Sequence, residues 1–236
     1  MSHRSFERLA VAGALSLFLC LSWRLGRSLG GAFDLLVVAA AVLASHAAAD
    51  LVSGIVHWLA DRVLAEDLPW LGRHFVQPFR EHHADPAGLA RHDLVETNGN
   101  TCIATLPLLA ALALEPDPRP GDLGGLAAGA FGLGLAGWIC LTNQVHQWAH
   151  LGEPPRLVAL LQASGLILDP ARHRRHHNAP FDSDFCITSG WFNPLLDRAG
   201  LFARLERWLG LAPEGGRRGG GARPTGTGAP GDPARG

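Results

Sequence analysis

The histidines of this chain are grouped, and the grouping suggests metal chemistry. There are twelve in 236 residues. His82 and His83 are adjacent in Arg80-Glu81-His82-His83-Ala84-Asp85-Pro86. His146 and His150 are spaced i, i+4, and His173, His176 and His177 form an HxxHH box. Residues three or four apart share a helix face, so each box aims two or three imidazoles at one point. Neutral imidazole suits iron, zinc, copper and nickel. With His57 and His92, the clusters supply eight or nine histidines, more than one ion can use. The count favours a dinuclear centre.

Absent motifs narrow the chemistry. The chain has no HExxH of a zinc peptidase, no ExxH pair of a carboxylate-bridged di-iron bundle, no GxSxG elbow and no P-loop. A centre rich in imidazole and poor in carboxylate suits redox or oxygen chemistry better than hydrolysis. His74 reads as an ordinary helix-end residue. His46 reads as helix packing or a polar partner of Asp50. An aspartate inside an apolar run is costly, which singles out Asp34 and Asp50. Asp50 either bonds a neighbouring helix or orients a metal ligand from behind, and Asp61, one turn after His57, is similarly placed. Cys20, Cys102, Cys140 and Cys186 lie far apart with no CxxC, and they read as small buried hydrophobes.

The elements that must carry these boxes are apolar. The composition is 47% apolar and 17% charged, and the net charge of −1 gives no basic field for nucleic acid. Four runs stand out: Leu9–Trp23, Ala32–Ala60, Thr101–Leu114 and Leu123–Thr142. About 20 helical residues cross a bilayer, so these runs predict about four spans. Leu21-Ser22-Trp23-Arg24 does not suit a signal-peptide cleavage site, and the first run reads as a retained span. The glycines of the fourth run permit close helix packing. Residues 156–168 are too short to span and predict an interfacial or re-entrant segment. Arg172, Arg174, Arg175, Arg198, Arg204 and Arg207 follow the fourth span, which puts that segment and the His boxes on the cytoplasmic side; in a bacterium this would be the cytoplasmic membrane. Arg24 and Arg27 oppose that orientation weakly.

The expected fold is an all-α integral membrane protein of about four transmembrane helices, with a cytoplasmic His-rich helical cap holding a di-metal site. Residues 1–31 form an N-terminal span and loop, and residues 32–212 the His-box domain. Residues 213–236, rich in Gly, Pro and Arg, predict a disordered tail.

His boxes on short segments between paired apolar runs resemble the integral-membrane desaturase and hydroxylase pattern. The finer match is to the plasmanylethanolamine desaturase family. It is carried by Asp50-Leu-Val-Ser-Gly-Ile-Val-His57-Trp58, by Pro78-Phe-Arg-Glu-His82-His83-x-Asp-Pro86, and by Arg91-His92-Asp93-x-x-Glu96-Thr97-Asn98-Gly99. Thr142-Asn143-Gln144-x-His146-x-Trp148-x-His150, His173-x-x-His176-His177 and Phe185-Cys186-Ile187-Thr188-x-Gly190-Trp191 continue it. The likeness runs from about Ala32 to Leu209.

The resemblance implies a lipid desaturase that makes the vinyl ether of plasmalogens from an alkyl-ether phosphatidylethanolamine. It implies two iron ions, dioxygen, and two electrons from an external donor of the cytochrome b5 or ferredoxin type. The implied ligands are His57, His82, His83, His146, His150, His173, His176 and His177. His92 is a candidate ninth, Asn98 a ligand through water, and Asp61 a supporting partner. Three alternatives stay open: an acyl-lipid desaturase acting on a phospholipid such as phosphatidylglycerol, a membrane haem protein, and a non-catalytic metal carrier or sensor.

Overall fold

The structure is a computed structural model that describes residues 3–211. The tail expected at 213–236 lies outside the described residues. The described residues are helical throughout, with no strand among them. The helices are α1 (His3–Arg27), α2 (Ala32–Trp58), α3 (Gln77–Ala84), α4 (Pro86–Leu89), α5 (Leu94–Leu114), α6 (Leu123–Ala149), α7 (Arg156–Ala163), α8 (Pro170–His176), α9 (Asn193–Ala199) and α10 (Leu201–Trp208). Two π-helical turns, Leu59–Val63 and Gly72–Val76, lie between α2 and α3.

Four helices are long and apolar enough to cross a membrane: Arg4–Arg27, Ala32–Val63, Leu94–Leu114 and Leu123–Ala149. The first and third extend past the apolar runs that announce them. Polar ends are invisible to a hydropathy reading, yet here they are satisfied. Asp93 caps α5, accepting from the N–H groups of Val95 and Glu96 at 3.0 Å each. Arg4 pairs with Asp93. Arg24 donates to the carbonyls of Ala113 (2.9 Å) and Glu115 (2.6 Å).

Those contacts join α1 to α5 at both ends, so the two run in the same direction. Helices α2 and α6 run the other way and pack on each other, and α5 against α6 joins the pairs. Gly134 is needed at the α2–α6 seam, because a Cβ there would collide with the Ser45 hydroxyl. Between α1, α5 and α6 the core is Ala14, Leu21, Leu109, Leu133 and Ala136. The outer surface is equally apolar: Leu19 is 59% exposed and Leu36 67%. Such a surface suits lipid and would be a liability in water.

One expectation is corrected. Cys102 and Cys140 are not free hydrophobes. The α5–α6 packing brings their Cα atoms to 4.7 Å and they form a disulfide. Nothing in their sequence spacing announces a contact made between two helices. Cys20 is exposed and Cys186 buried.

The bundle delivers His57 and His146 to the same end, at the C-terminal turns of α2 and α6. The remaining short helices gather over that end. Helix α7 buries Val158 and Gln162 and turns Leu157 and Leu160 outward.

Candidate metal centre

Five elements supply the donors. The last turn of α2 carries His57, and the π-turn after it carries Asp61. Helix α3 carries His82 and His83, and the end of α6 carries His146 and His150. Helix α8 carries His173 and His176, with His177 just beyond.

These side chains fall into two groups. His82, His146, His150, His173 and His177 form the first. Their Nε2 atoms stand 2.7 Å (His173–His150), 2.8 Å (His146–His173), 2.9 Å (His177–His173) and 3.0 Å (His150–His82, His177–His82) apart. His57, Asp61, His83 and His176 form the second. Here Asp61 Oδ2 lies 3.2 Å from His57 Nε2, 3.2 Å from His83 Nε2 and 3.3 Å from His176 Nε2. Consecutive residues serve different groups: His82 and His83 part company, and so do His176 and His177.

Both groups fit metal ions. With metal–nitrogen bonds of about 2.1 Å, neighbouring donors on an octahedral ion lie about 3.0 Å apart, the spacing seen here. Five ring nitrogens converging without a shared cation would set like poles against one another. Asp61 is buried, and neither of its carboxylate oxygens has a hydrogen-bond donor among the described residues. A buried carboxylate whose three nearest side-chain neighbours are imidazole nitrogens is a natural place for a cation.

The backbone orients the second group. His57 Nδ1 lies 3.1 Å from the Phe185 carbonyl, and His176 Nδ1 lies 2.8 Å from that of Ser183. An Nδ1–H donated to a carbonyl leaves the Nε2 lone pair for a metal. The loop presenting these carbonyls is fastened to α2. Asp50 Oδ1 accepts from the N–H groups of Ser189 (2.7 Å) and Gly190 (2.9 Å), and the Ser53 hydroxyl accepts from that of Ile187 (3.0 Å). Asn193 closes the loop on both polar groups of Cys186. Gly54 allows this contact, since a Cβ there would strike Cys186.

Arg80 and Gln147 do comparable work for α3. Arg80 donates to the Leu64 carbonyl at 2.7 Å and reaches that of Ala60 at 3.4 Å, bracketing Asp61. Gln147 donates to the carbonyls of Leu89 (2.9 Å) and His92 (2.8 Å), fixing the loop after the His pair.

Burial, then repulsion from neighbouring rings, lowers the imidazole pKa values. His150 falls to about 4 and His177 to about 3. His176 also falls to about 4, through burial and the nearby His57, although Asp61 opposes the shift. Burial and neighbouring rings hold His82 and His173 well below the ordinary imidazole range. Such rings stay neutral, as metal ligation requires.

Other residues singled out by sequence stand apart. His92 is outside both groups, half-exposed and 3.6 Å from Glu96. Asn98 bonds the Leu94 carbonyl and Gln144, within the α5–α6 seam. The Asp50 carboxylate accepts from the backbone N–H groups of Ser189, Gly190 and Phe192. His46 packs between the rings of Trp138 and Trp191, and His74 stacks on Trp70. Asp61 lies in one group with His57, His83 and His176, because the π-turn carries its carboxylate in beside His57. Arg80 and Ser53 stand within the quoted motifs, but nothing in the sequence spacing announces the roles of Arg80, Ser53, Gln147 or Asn193, each of which depends on a contact between distant segments.

The model of the lipid desaturase domain matches residues 46–214, a span that contains every donor of both groups. The chain belongs to the lipid desaturase family. The desaturase is 41% identical to plasmanylethanolamine desaturase of Myxococcus xanthus over 87% of this chain and 72% of that protein. It is 44% identical to plasmanylethanolamine desaturase 1 of Mus musculus over 70% of this chain and 62% of that protein. Fatty acid desaturase 4 of Arabidopsis thaliana, chloroplastic, is 32% identical over 83% of this chain and 58% of its own length. No solved structure gives a significant match to the desaturase.

Proposed function

We propose that this desaturase introduces the vinyl-ether double bond into the alkyl ether chain of plasmanylethanolamine. One C–H bond breaks at each of C1 and C2 of the alkyl chain, the carbon bonded to the ether oxygen and the one after it, and a double bond forms between them. Two electrons from the lipid and two from an external donor, with four protons, reduce dioxygen to two waters. The donor is a small redox protein of the cytochrome b5 or ferredoxin type.

Two iron ions, when bound, supply the oxygen chemistry that an unactivated C–H bond demands. His82, His146, His150, His173 and His177 would hold one; His57, His83, His176 and Asp61 would hold the other. The carbonyls of Ser183 and Phe185 keep His57 and His176 in the tautomer that presents Nε2. The ether carbons of a phospholipid lie just below the headgroup, at the depth where α2 and α6 end. On this reading the four long helices cross the membrane with the His groups at the cytoplasmic side, an orientation supported by the excess of arginine after the fourth helix (Arg172, Arg174, Arg175, Arg198, Arg204 and Arg207).

The observation that carries this reading is the pairing of two donor groups with 41–44% identity to plasmanylethanolamine desaturases. A second reading, acyl desaturation of a phospholipid, is supported by the 32% identity to fatty acid desaturase 4. A haem protein would need paired axial histidines, and the boxes form larger groups at the helix ends.

The test is lipid analysis in a host that has alkyl-ether phosphatidylethanolamine and no plasmalogen. The expected product is an acid-labile vinyl ether that releases a fatty aldehyde. Absence of aldehyde, with iron and electron donor supplied, would refute the proposal; a new acyl double bond instead would support the second reading.

A further inference from the structure

An open cleft of about 600 Å³ lies between α7 and the start of α8, lined by Ala159, Gln162, Ala163, Ser164, Asp169 and Arg172. Three observations give it a function. First, it borders the apolar exterior. Leu157 and Leu160 on α7 are 67% and 68% exposed, while Ala159 and Ala163 of the same helix leave the cleft open. Second, its guanidinium is held in place. Arg172 Nη1 donates to the Ser189 carbonyl at 3.1 Å, and Nε lies 3.2 Å from Asp169 Oδ2. The Arg172 side chain remains one-third exposed. Third, Arg172 is followed directly by His173, a member of the five-histidine group. Both residues stand on α8, so one wall of the cleft and one member of that group share a helix.

We propose that this cleft binds the headgroup of the phospholipid substrate, with Arg172 holding its phosphodiester. The inference rests on the reading of the chain as a phospholipid desaturase. Guanidinium is well matched to phosphate oxygens, which it engages through two parallel N–H donors. Asp169 beside it leaves the cleft without net charge, which favours a zwitterionic headgroup over a free anion. The alkyl chain then leaves the cleft beside the apolar face of α7. Arg172 is a binding residue in this scheme and takes no part in the oxidation.

Binding to the intact purified desaturase in detergent tests this without turnover, using dioctanoyl phosphatidylethanolamine, dioctanoylglycerol and inorganic phosphate as probes. Wild-type protein should bind the phospholipid at least tenfold more tightly than dioctanoylglycerol, as expected for a charge-assisted contact of roughly 1.5 kcal/mol or more. Arg172→Gln should erase that preference, and Arg172→Lys should restore part of it. Ala163→Trp fills the cleft from an exposed position and should weaken phospholipid binding about as much. It decides the matter if the arginine variants do not fold. Unchanged phospholipid binding in Arg172→Gln or Ala163→Trp would overturn the proposal. So would inorganic phosphate competing at concentrations near those of the lipid. Failure of the desaturase reading would appear differently, as absence of vinyl ether from wild-type protein.

Discussion

His82 and His83 are neighbours on α3, yet their Nε2 atoms belong to different groups: His82 lies 3.0 Å from His150 and from His177, and His83 lies 3.2 Å from Asp61 Oδ2. The His176–His177 pair divides in the same way. Two short helices thus bridge both groups, and the HH pairs set the two groups side by side.

This division predicts separable losses. His82→Ala should deplete metal from the five-histidine group, and His83→Ala from the group containing Asp61. His146→Ala and His176→Ala should each abolish product, because the proposed reaction needs both ions. His74→Ala, a change at a residue stacked on Trp70, should leave product formation intact. Metal analysis with lipid analysis of the five variants checks this.

Asp61→Asn keeps the shape and removes the charge. The second group would then hold an ion with three neutral imidazoles and an amide. At least tenfold weaker retention is expected there, on the order of 1.4 kcal/mol or more. Equilibrium dialysis against a chelator reads it, and wild-type retention would count against Asp61 as a donor.

Asp50→Asn acts at a distance. It weakens the clamp on Ser189 and Gly190 and so loosens the carbonyls that orient His57 and His176. The expected cost is about 2 kcal/mol of stability, the scale of hydrogen bonds to a charged acceptor. Metal retention should fall in the Asp61 group before the five-histidine group. Thermal unfolding and a chelator time course measure the two effects.

Acid should destabilise the metal-free protein early. His150 and His176 titrate at about 4 and His177 at about 3 when folded, below the ordinary imidazole value of about 6.5. Between those limits the unfolded chain binds more protons, so stability is full above about pH 6.5 and declines as the pH falls toward 4. Thermal midpoints of chelator-treated protein at pH 7.5, 6 and 5 should drop in that order, and bound metal should reduce the drop.

Much of this was legible in the sequence, for identifiable reasons. Apolar runs marked the four long helices, the second and fourth at bilayer length and the first and third short of it, and the i, i+4 spacing of His146 and His150 placed both rings in one group. The partition of HxxHH was not legible, since the spacing permits all three rings to converge and only the packing of α8 against α2 and α6 sends His176 elsewhere. The place of Asp61 depends on a π-turn that no spacing announces. The role of Asp50 depends on a loop that returns from residues 183–193, and the Cys102–Cys140 bond on how α5 meets α6. His92 lay in the right motif, but Gln147 holds it by its carbonyl and its ring faces Glu96.

The most direct test of the central claim is the iron content of the purified desaturase, measured beside its protein concentration. Two iron ions per chain are expected, falling toward one in His83→Ala with the five-histidine group still loaded. One ion or none per chain in active wild-type protein, or loss of both ions from every single-histidine variant and from His74→Ala alike, would contradict the two-group account.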